Sequence, residues 1–384
     1  MEQNNIYDNI KKIISTIDVT NINLKIVKSN IKKLVEIYNE LKSIYNSFDY
    51  NNIKYDNSNS KYFEIMNILK SSFLFENKNI KKEIDKSKYI HCLSHSNIKI
   101  YWISNNKNIQ PQNKEYLMAL KMFKITISLN KFKYKNNDNI ERLIIWIPID
   151  KKRNYKYKII NNDNLKKTEE YFEAFVASGV TFGNNPRITI ITRYEEIEKL
   201  LIHELIHNYN IDGSEFHNEL NEITNKYKNI KNSLGKNKKN YHYDFSIYES
   251  YTELLSTYFY LLFENIIQLN DNIEQKLLGQ IIIEIIYSYN LVCNLIKLNG
   301  YKNYDEFKNI NVFDGNICGY EYYYIKALMY NNFILMFGNN LNDYKCIYMN
   351  IINMIINIRK YDDKLMSQIY TQCFKQNNFK YQLH

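Results

Sequence analysis

The chain has 384 residues, enough for two average domains, and carries a formal net charge of +10. Its 45% hydrophobic and 15% aromatic residues can bury a large core, which excludes general disorder, and 9 Gly with 3 Pro exclude collagen-like and Pro/Gly-rich low-complexity chains. The excess of Asn (59 residues) and Tyr (36) beside only five Arg follows AT-rich codons, as in the genomes of some bacteria, protozoa and large DNA viruses.

The N-terminal part is predicted to be helical. Apolar residues recur from Leu24 to Tyr45 at alternating spacings of three and four. This repeat indicates a long helix that packs against its own domain, or alternatively a helix over residues 21–47 that binds a partner. A polar linker over 51–61 and a second helix over 62–75 are expected to follow.

From about residue 98 to 193 the pattern changes to that of β-strands. Alternating apolar residues predict a half-exposed strand at 123–129, and the apolar run Leu143–Ile149 predicts an internal strand. Arg187–Arg193 is a third strand candidate. Beyond this point almost every segment has helical periodicity, so we expect an α+β fold: a helical N-terminal segment, a mixed sheet and a helical C-terminal half.

The positive charge suggests a nucleic-acid partner only weakly. Arg, which makes bidentate contacts to phosphate and guanine, is nearly absent, so solvated surfaces and codon bias explain the lysines better. The Lys-rich stretches concerned are Lys131–Lys135, Lys151–Lys158 and Asn225–Tyr241.

The sequence favours an intracellular, cytoplasmic protein. Its five cysteines are scattered without a CxxC pair, which is typical of free thiols in a reducing compartment. Residues 1–9 are polar and unlike a signal peptide. The apolar stretch Leu277–Ile296 is long enough to span a bilayer, but its polar residues, Glu284 among them, favour a buried core helix and no membrane association.

The sequence HELIH at 203–207 holds two of the seven histidines and points to metal chemistry. Residues four apart on a helix are separated by about 40° around its axis, so His203 and His207 can reach one zinc ion. Glu204 projects on the same side and can take a proton from a zinc-bound water. The pattern predicts one Zn²⁺ per chain, and the alternative is a pair of core histidines on a buried helix.

A catalytic zinc site needs a third protein ligand, for which Glu249, Asp212, His217 and His242 are candidates. Glu249 and Glu253 lie four apart in a strongly apolar helical segment, where an unpaired carboxylate is costly. Zinc for Glu249 and the ring N–H of a ligand histidine for Glu253 would satisfy both. A surface acidic pair, with Asp212 or His217 folding back to the metal, is the alternative.

An HExxH helix followed by an E-x-x-x-E helix resembles the gluzincin class of zinc metallopeptidases. The resemblance implies a zincin-like catalytic domain, a mixed sheet plus an active-site helix, with Glu249 as third ligand and Glu253 orienting a ligand histidine. The segment Ala177–Asp212 also resembles zinc metallopeptidases of large nucleocytoplasmic DNA viruses, which share its SG-[VF]-T stretch, a strand ending in Arg and HExxHN. The expected divisions are a helical N-terminal segment (1–90), a catalytic core (91–270) and a helical C-terminal subdomain (271–384).

By similarity to zincins, a strand near the active-site helix binds the substrate as an added antiparallel strand. Ala177–Phe182 is the expected edge strand, with Ser178, Gly179 and Val180 as its substrate-binding residues, and Arg187–Thr192 is the alternative. The residue that stabilises the oxyanion is not identified by the sequence, because His242 and three tyrosines (Tyr241, Tyr243, Tyr251) are all suitable.

The leading hypothesis is a zinc-dependent endopeptidase that acts on protein or peptide substrates, in an infected cell or a virion if the chain is viral. The sequence DGSEF at 212–216 is similar to the HGxxF element of SprT/WLM-type DNA-associated proteases, with Asp212 in place of the ligand His. That class is the second hypothesis. A catalytically inactive virion or scaffold protein that retains the zinc site is the third, and a nucleic-acid-binding protein with an accidental HELIH is the fourth.

Overall fold

A computed structural model describes residues 21–72, 78–134, 139–149, 179–192, 196–223, 247–268, 272–298 and 325–360, together with 365, 367–369 and 371. Over these ranges the protein is α+β and mostly helical, with one mixed sheet, so the predicted fold class is confirmed at this level. The chain divides into two compact units, residues 38–211 and residues 1–37 with 212–384. The three-part division expected from the sequence stays a prediction.

The unit of residues 38–211 is built on a sheet of six described strands. The strands are β1 (Lys54–Asp56), β2 (Tyr89–His95), β3 (Ile98–Ser104), β4 (Arg142–Ile147), β5 (Gly179–Phe182) and β6 (Arg187–Thr192). Their order across the sheet is β1-β2-β3-β4-β6-β5. The β3–β4 and β4–β6 pairs are parallel, and the other three pairs are antiparallel.

Both faces of this sheet are covered by helices. On one face, alternate residues of β4 pack with the apolar sides of α2 (Tyr62–Ser71) and α3 (Lys78–Lys86) in a buried cluster. The other face receives α4 (Lys114–Leu129) and α5 (Ile197–Asn208). Because β4 is buried on both faces, all six of its residues are apolar or, like Arg142, enclosed by partners.

The strands predicted at 143–149 and 187–193 are confirmed as β4 and β6, but the strand predicted at 123–129 is wrong, because this segment forms the end of helix α4. Asn113 caps the helix, accepting a hydrogen bond from the backbone N–H of Glu115 at 2.8 Å. The helix is buried on most of its circumference, so apolar residues at every second position also fit a helical pattern. The segment predicted as a polar linker over 51–61 contains the short strand β1.

The second unit, residues 1–37 with 212–384, is helical where it is described. Helix α1 (Leu24–Ser47) confirms the predicted N-terminal helix and continues past residue 37. Its heptad positions from Val27 to Leu41 are at most 2% exposed, so this face of the helix is buried within the protein. A partner bound through residues 21–47 stays a prediction. The other helices are α6 (Ile247–Ile267), α7 (Ile273–Leu298), α8 (Lys326–Asn332) and α9 (Leu341–Lys360).

One helix in the described part of the chain, over Ile273–Cys293, is long and apolar enough to cross a membrane by length and composition alone. Its mean hydropathy of 1.2 is modest, and 56% of the stretch is buried inside the protein. Core helices of the kind predicted for Leu277–Ile296 meet the same criteria.

Several predicted features lie outside the described residues. These are Lys135, the Lys-rich stretches Lys151–Lys158 and Asn225–Tyr241, Ser178 of the expected edge strand, and the candidates Tyr241, His242 and Tyr243.

Candidate functional site

Helix α5 carries the HELIH sequence and packs across β5 and β6. Its apolar residues, Leu201, Leu205 and Ile206 among them, are fully buried and anchor it on the sheet. The helix stops because Asn210 adopts a left-handed conformation (φ 55°), which Asn tolerates better than most residues. The backbone N–H groups of Asn210 and Ile211 then donate to the carbonyls of His207 (3.1 Å) and Ile206 (2.9 Å) in a Schellman-type closure.

The two histidines approach each other with their Nε2 atoms. The Nε2 atoms of His203 and His207 lie 3.3 Å apart, and the rings meet nearly at right angles with centroids 4.9 Å apart. Two nitrogens bound to one tetrahedral zinc ion, each at about 2.0–2.1 Å, are about 3.3–3.4 Å apart. The spacing of the two donors is therefore that of a shared tetrahedral metal ion.

Glu204 is 6% exposed and lies against β5. Its Oε2 accepts a hydrogen bond from the Thr181 hydroxyl at 2.8 Å. A Cβ atom added to Gly179 would lie 2.7 Å from both Cγ and Oε1 of this glutamate, so the carboxylate packs directly on the glycine backbone. Gly179 thus makes room for the side chain of Glu204.

Glu249 lies in the first turn of α6. Each of His203, His207 and Glu249 offers one ligand atom such that the three atoms lie within 4.8 Å of one another. Two imidazole nitrogens and a carboxylate oxygen form a donor set suited to zinc. Among the residues that the structure describes, these three are the predicted ligands that are brought together.

The alternative third ligands have other partners. Asp212 is fully buried, and its two carboxylate oxygens accept hydrogen bonds from the backbone N–H of Ser214 (3.0 Å) and the hydroxyl of Thr252 (2.8 Å). His217 is exposed and contacts the ring of Tyr248 at a centroid distance of 5.8 Å. Neither residue belongs to the group that includes Glu249.

Two further residues of α6, Glu253 and Tyr248, lie in environments that affect their charge. Glu253 forms an ion pair with Lys326, whose Nζ lies 3.5 Å from Oε2, and the lysine side chain is only 4% exposed. Burial raises the pKa of Tyr248 well above its ordinary value, an effect that the charge of Asp212 increases, so its hydroxyl stays neutral. Whether Glu253 also orients a ligand histidine stays a prediction.

The described residues include part of the expected substrate strand and Tyr251, one of the candidates for stabilising the oxyanion. Among the described residues, β5 is the last strand in the sheet order, so Gly179 and Val180 lie at an edge of this sheet, whereas β6 is paired on both sides. That the substrate binds along β5 stays a prediction. Tyr251 is fully buried, and its hydroxyl donates to the Met336 carbonyl, which makes it a core residue.

Four residues that support the site were not identified from the sequence. Arg187 contacts the end of α5, and Asn208, Thr189 and Thr181 form a hydrogen-bonded series that leads to Glu204. All four fall within the segment Ala177–Asp212, but their contacts depend on how α5 docks on the sheet. Local pattern alone could not have shown them.

No family model, curated protein or solved structure matches this chain.

Proposed function

We propose that this protein is a zinc-dependent endopeptidase whose metal is bound by His203, His207 and Glu249. The observation that carries the proposal is the 3.3 Å separation of the two Nε2 atoms, which fits a shared tetrahedral ion. Three protein ligands leave one coordination position for water or substrate, as catalytic zinc sites require. When bound, zinc supplies a Lewis acid that polarises a carbonyl group and makes a water molecule more acidic.

Glu204 is the proton acceptor in this proposal. Its carboxylate follows His203 directly on the helix and is held beside β5 by the Thr181 hydroxyl. It would take a proton from the attacking water and later pass that proton to the leaving amine, so that the peptide bond is hydrolysed without net gain or loss of protons by the protein.

The edge strand β5 is the proposed binding strand for the substrate backbone. An extended peptide can add beside an edge strand through main-chain hydrogen bonds, whatever its side chains. In this arrangement the peptide would run next to Gly179 and Thr181, the two residues of β5 that contact Glu204. The HExxH helix, the third ligand on a second helix and this edge strand together support the proposal of a gluzincin-type, zincin-like site.

A paired substitution on α5 tests the proposal. Purified protein should contain about one zinc ion per chain and cleave an unfolded protein such as casein. Glu204→Gln should retain the zinc and lower the rate of cleavage at least about a hundredfold, because a general base contributes that much or more. Metal analysis and peptide release are the two measurements.

Glu198→Gln is the matched control, since Glu198 is on the same helix and pairs with Lys121, away from the ligand group. Both the zinc content and the cleavage rate of this variant should remain near those of the original protein. A chain that binds no zinc would overturn the proposal. A chain that binds zinc but cleaves nothing would favour the inactive scaffold protein instead.

A further inference from the structure

We infer that Asn208, Thr189 and Thr181 are positioning residues that hold the carboxylate of Glu204 through one continuous series of hydrogen bonds. The inference rests on the proposed function for the role of Glu204 as proton acceptor. The series itself is a feature of the residue 38–211 unit alone.

The side chains follow one another at hydrogen-bonding distance. Asn208 Nδ2 lies 3.0 Å from Thr189 Oγ1, which lies 3.0 Å from Thr181 Oγ1, and this atom lies 2.8 Å from Glu204 Oε2. Asn208 and Thr189 are fully buried, so water does not compete for these groups. Three elements thus contribute side chains to one network: strands β5 and β6 and helix α5.

The chemistry of the two ends sets the direction of every bond. An amide nitrogen can only donate and a carboxylate can only accept, so each hydroxyl between them donates toward Glu204. Asn208 Nδ2 has no lone pair to accept a hydrogen bond, so the Thr189 hydroxyl accepts there and can direct its own proton to Thr181 Oγ1. This direction leaves the Thr181 proton for Glu204, whose carboxylate Oε2 at 2.8 Å is the nearer acceptor and whose backbone carbonyl lies at 3.1 Å.

Gly179 completes the restraint on the other side of the carboxylate. Its missing side chain leaves the space that Cγ and Oε1 of Glu204 occupy, and any Cβ there would lie only 2.7 Å away. The carboxylate is therefore confined between a glycine backbone and a hydroxyl two residues further along the same strand. Strand β5 is also the proposed substrate strand. The same strand would therefore bind the peptide backbone and hold the carboxylate of Glu204 through Gly179 and Thr181.

Thr181→Val tests the inference, because valine keeps the shape of threonine and removes the hydroxyl. Zinc content and KM should remain near those of the original protein, while kcat should fall about ten- to a hundredfold, as expected for losing a hydrogen bond to a charged group. Thr181→Ser restores the hydroxyl and should recover most of kcat.

Thr126→Val is the matched control. The Thr126 hydroxyl is also buried and donates to a backbone carbonyl, that of Met122, at 2.8 Å. Its loss should lower stability while kcat changes less than about twofold. A fall in kcat as large as that of Thr181→Val would mean that any buried hydroxyl in this unit acts on activity through stability, which would overturn the inference.

A second measurement does not depend on activity. Thr181→Val should shift the urea midpoint more in the original chain than in a Glu204→Ala background, because only the former contains the carboxylate that loses its donor. The Thr181 hydroxyl also lies 3.1 Å from the Glu204 backbone carbonyl, which Glu204→Ala keeps. Equal shifts in both backgrounds would therefore mean that the hydroxyl serves the backbone or packing, and the inference would fail.

The two measurements separate the inference from the proposed function. Unequal urea shifts in a protein that has no peptidase activity would support the positioning series and overturn the peptidase. Equal shifts in an active protein, with kcat unchanged in Thr181→Val, would leave the peptidase in place and overturn the positioning series.

Discussion

Small side chains on β5 decide where the carboxylate of Glu204 lies. Gly179 and Thr181 are two residues apart, and side chains two apart on a strand project from the same face of a sheet. Gly179 leaves space for the side chain of Glu204, and Thr181 donates a hydrogen bond to its carboxylate. The glycine is needed for this close approach, so its value lies in its missing Cβ.

Substitutions of single candidate ligands identify the third one. Glu249→Ala should lose most of the zinc, because two histidines alone form an incomplete site. Asp212→Asn and His217→Ala should retain about one zinc ion per chain, since both side chains are engaged elsewhere. Metal analysis after gel filtration in zinc-free buffer measures the difference.

Retention of zinc by Glu249→Ala together with its loss from Asp212→Asn would reverse the assignment. That result would favour the SprT/WLM-type hypothesis, in which the residue at position 212 supplies the third ligand. Loss from all three variants would point to general destabilisation, which the urea midpoints of the same proteins would show.

At the scale of the element, the end of α5 is fixed by a residue of the neighbouring strand. Arg187 Nη1 lies 2.7 Å from the carbonyl of Asn208, 3.2 Å from that of His207 and 2.8 Å from Asn210 Oδ1. The last carbonyls of a helix have no partners within it, and a positive charge there is favourable. Since His207 is the second proposed ligand, the same contacts fix the end of the helix that carries it.

Arg187→Met should destabilise the protein while keeping the apolar stem of the side chain. We expect the free energy of unfolding to fall by about 2–4 kcal/mol, because several charge-assisted hydrogen bonds to a helix end are lost. Urea denaturation measures this change, and Arg187→Lys should recover only part of it, since one ammonium group replaces the planar fork. An unchanged midpoint in Arg187→Met would show that the closure at Asn210 is sufficient to end the helix.

At the scale of the whole chain, helix α1 forms hydrogen bonds with a segment about three hundred residues later. Asn30 is 1% exposed, donates from Nδ2 to the Phe333 carbonyl at 3.0 Å, and accepts at Oδ1 from the Leu335 N–H at 2.7 Å. One side chain thus satisfies two backbone groups of the extended segment that follows α8. This contact joins the two chain segments, 1–37 and 212–384, that make up one compact unit.

Asn30→Ala should lower the free energy of unfolding by about 2–4 kcal/mol, because two buried backbone groups lose their partner. The exposed Asn105→Ala is the control, and its effect should stay within about 0.5 kcal/mol. Both values come from urea denaturation followed by circular dichroism. An effect of Asn30→Ala as small as that of the control would mean that water replaces the lost bonds at no cost.

Local pattern was sufficient wherever the determining interactions are local. A separation of four residues on a helix places His203 and His207 together in any fold, so the metal hypothesis needed only the sequence and a helix prediction. Periodicity likewise predicted the N-terminal helix, the helical character of the chain beyond residue 193, and a buried strand over 143–149 that the structure has at 142–147. The segment 123–129 was predicted wrongly because a helix buried on most sides has apolar residues at both helical and alternate spacings.

By itself, then, the sequence determined the α+β class and the helix that carries HELIH, and it was sufficient to propose a zinc site on that helix. Only the tertiary structure decided that β5 is an edge strand, that Gly179 and Thr181 meet Glu204, and that Asp212 bonds to Thr252. These facts depend on strand order, on register and on how a helix docks across a sheet. Residues brought together in that way are far apart in sequence, and nothing in their local pattern encodes the partner.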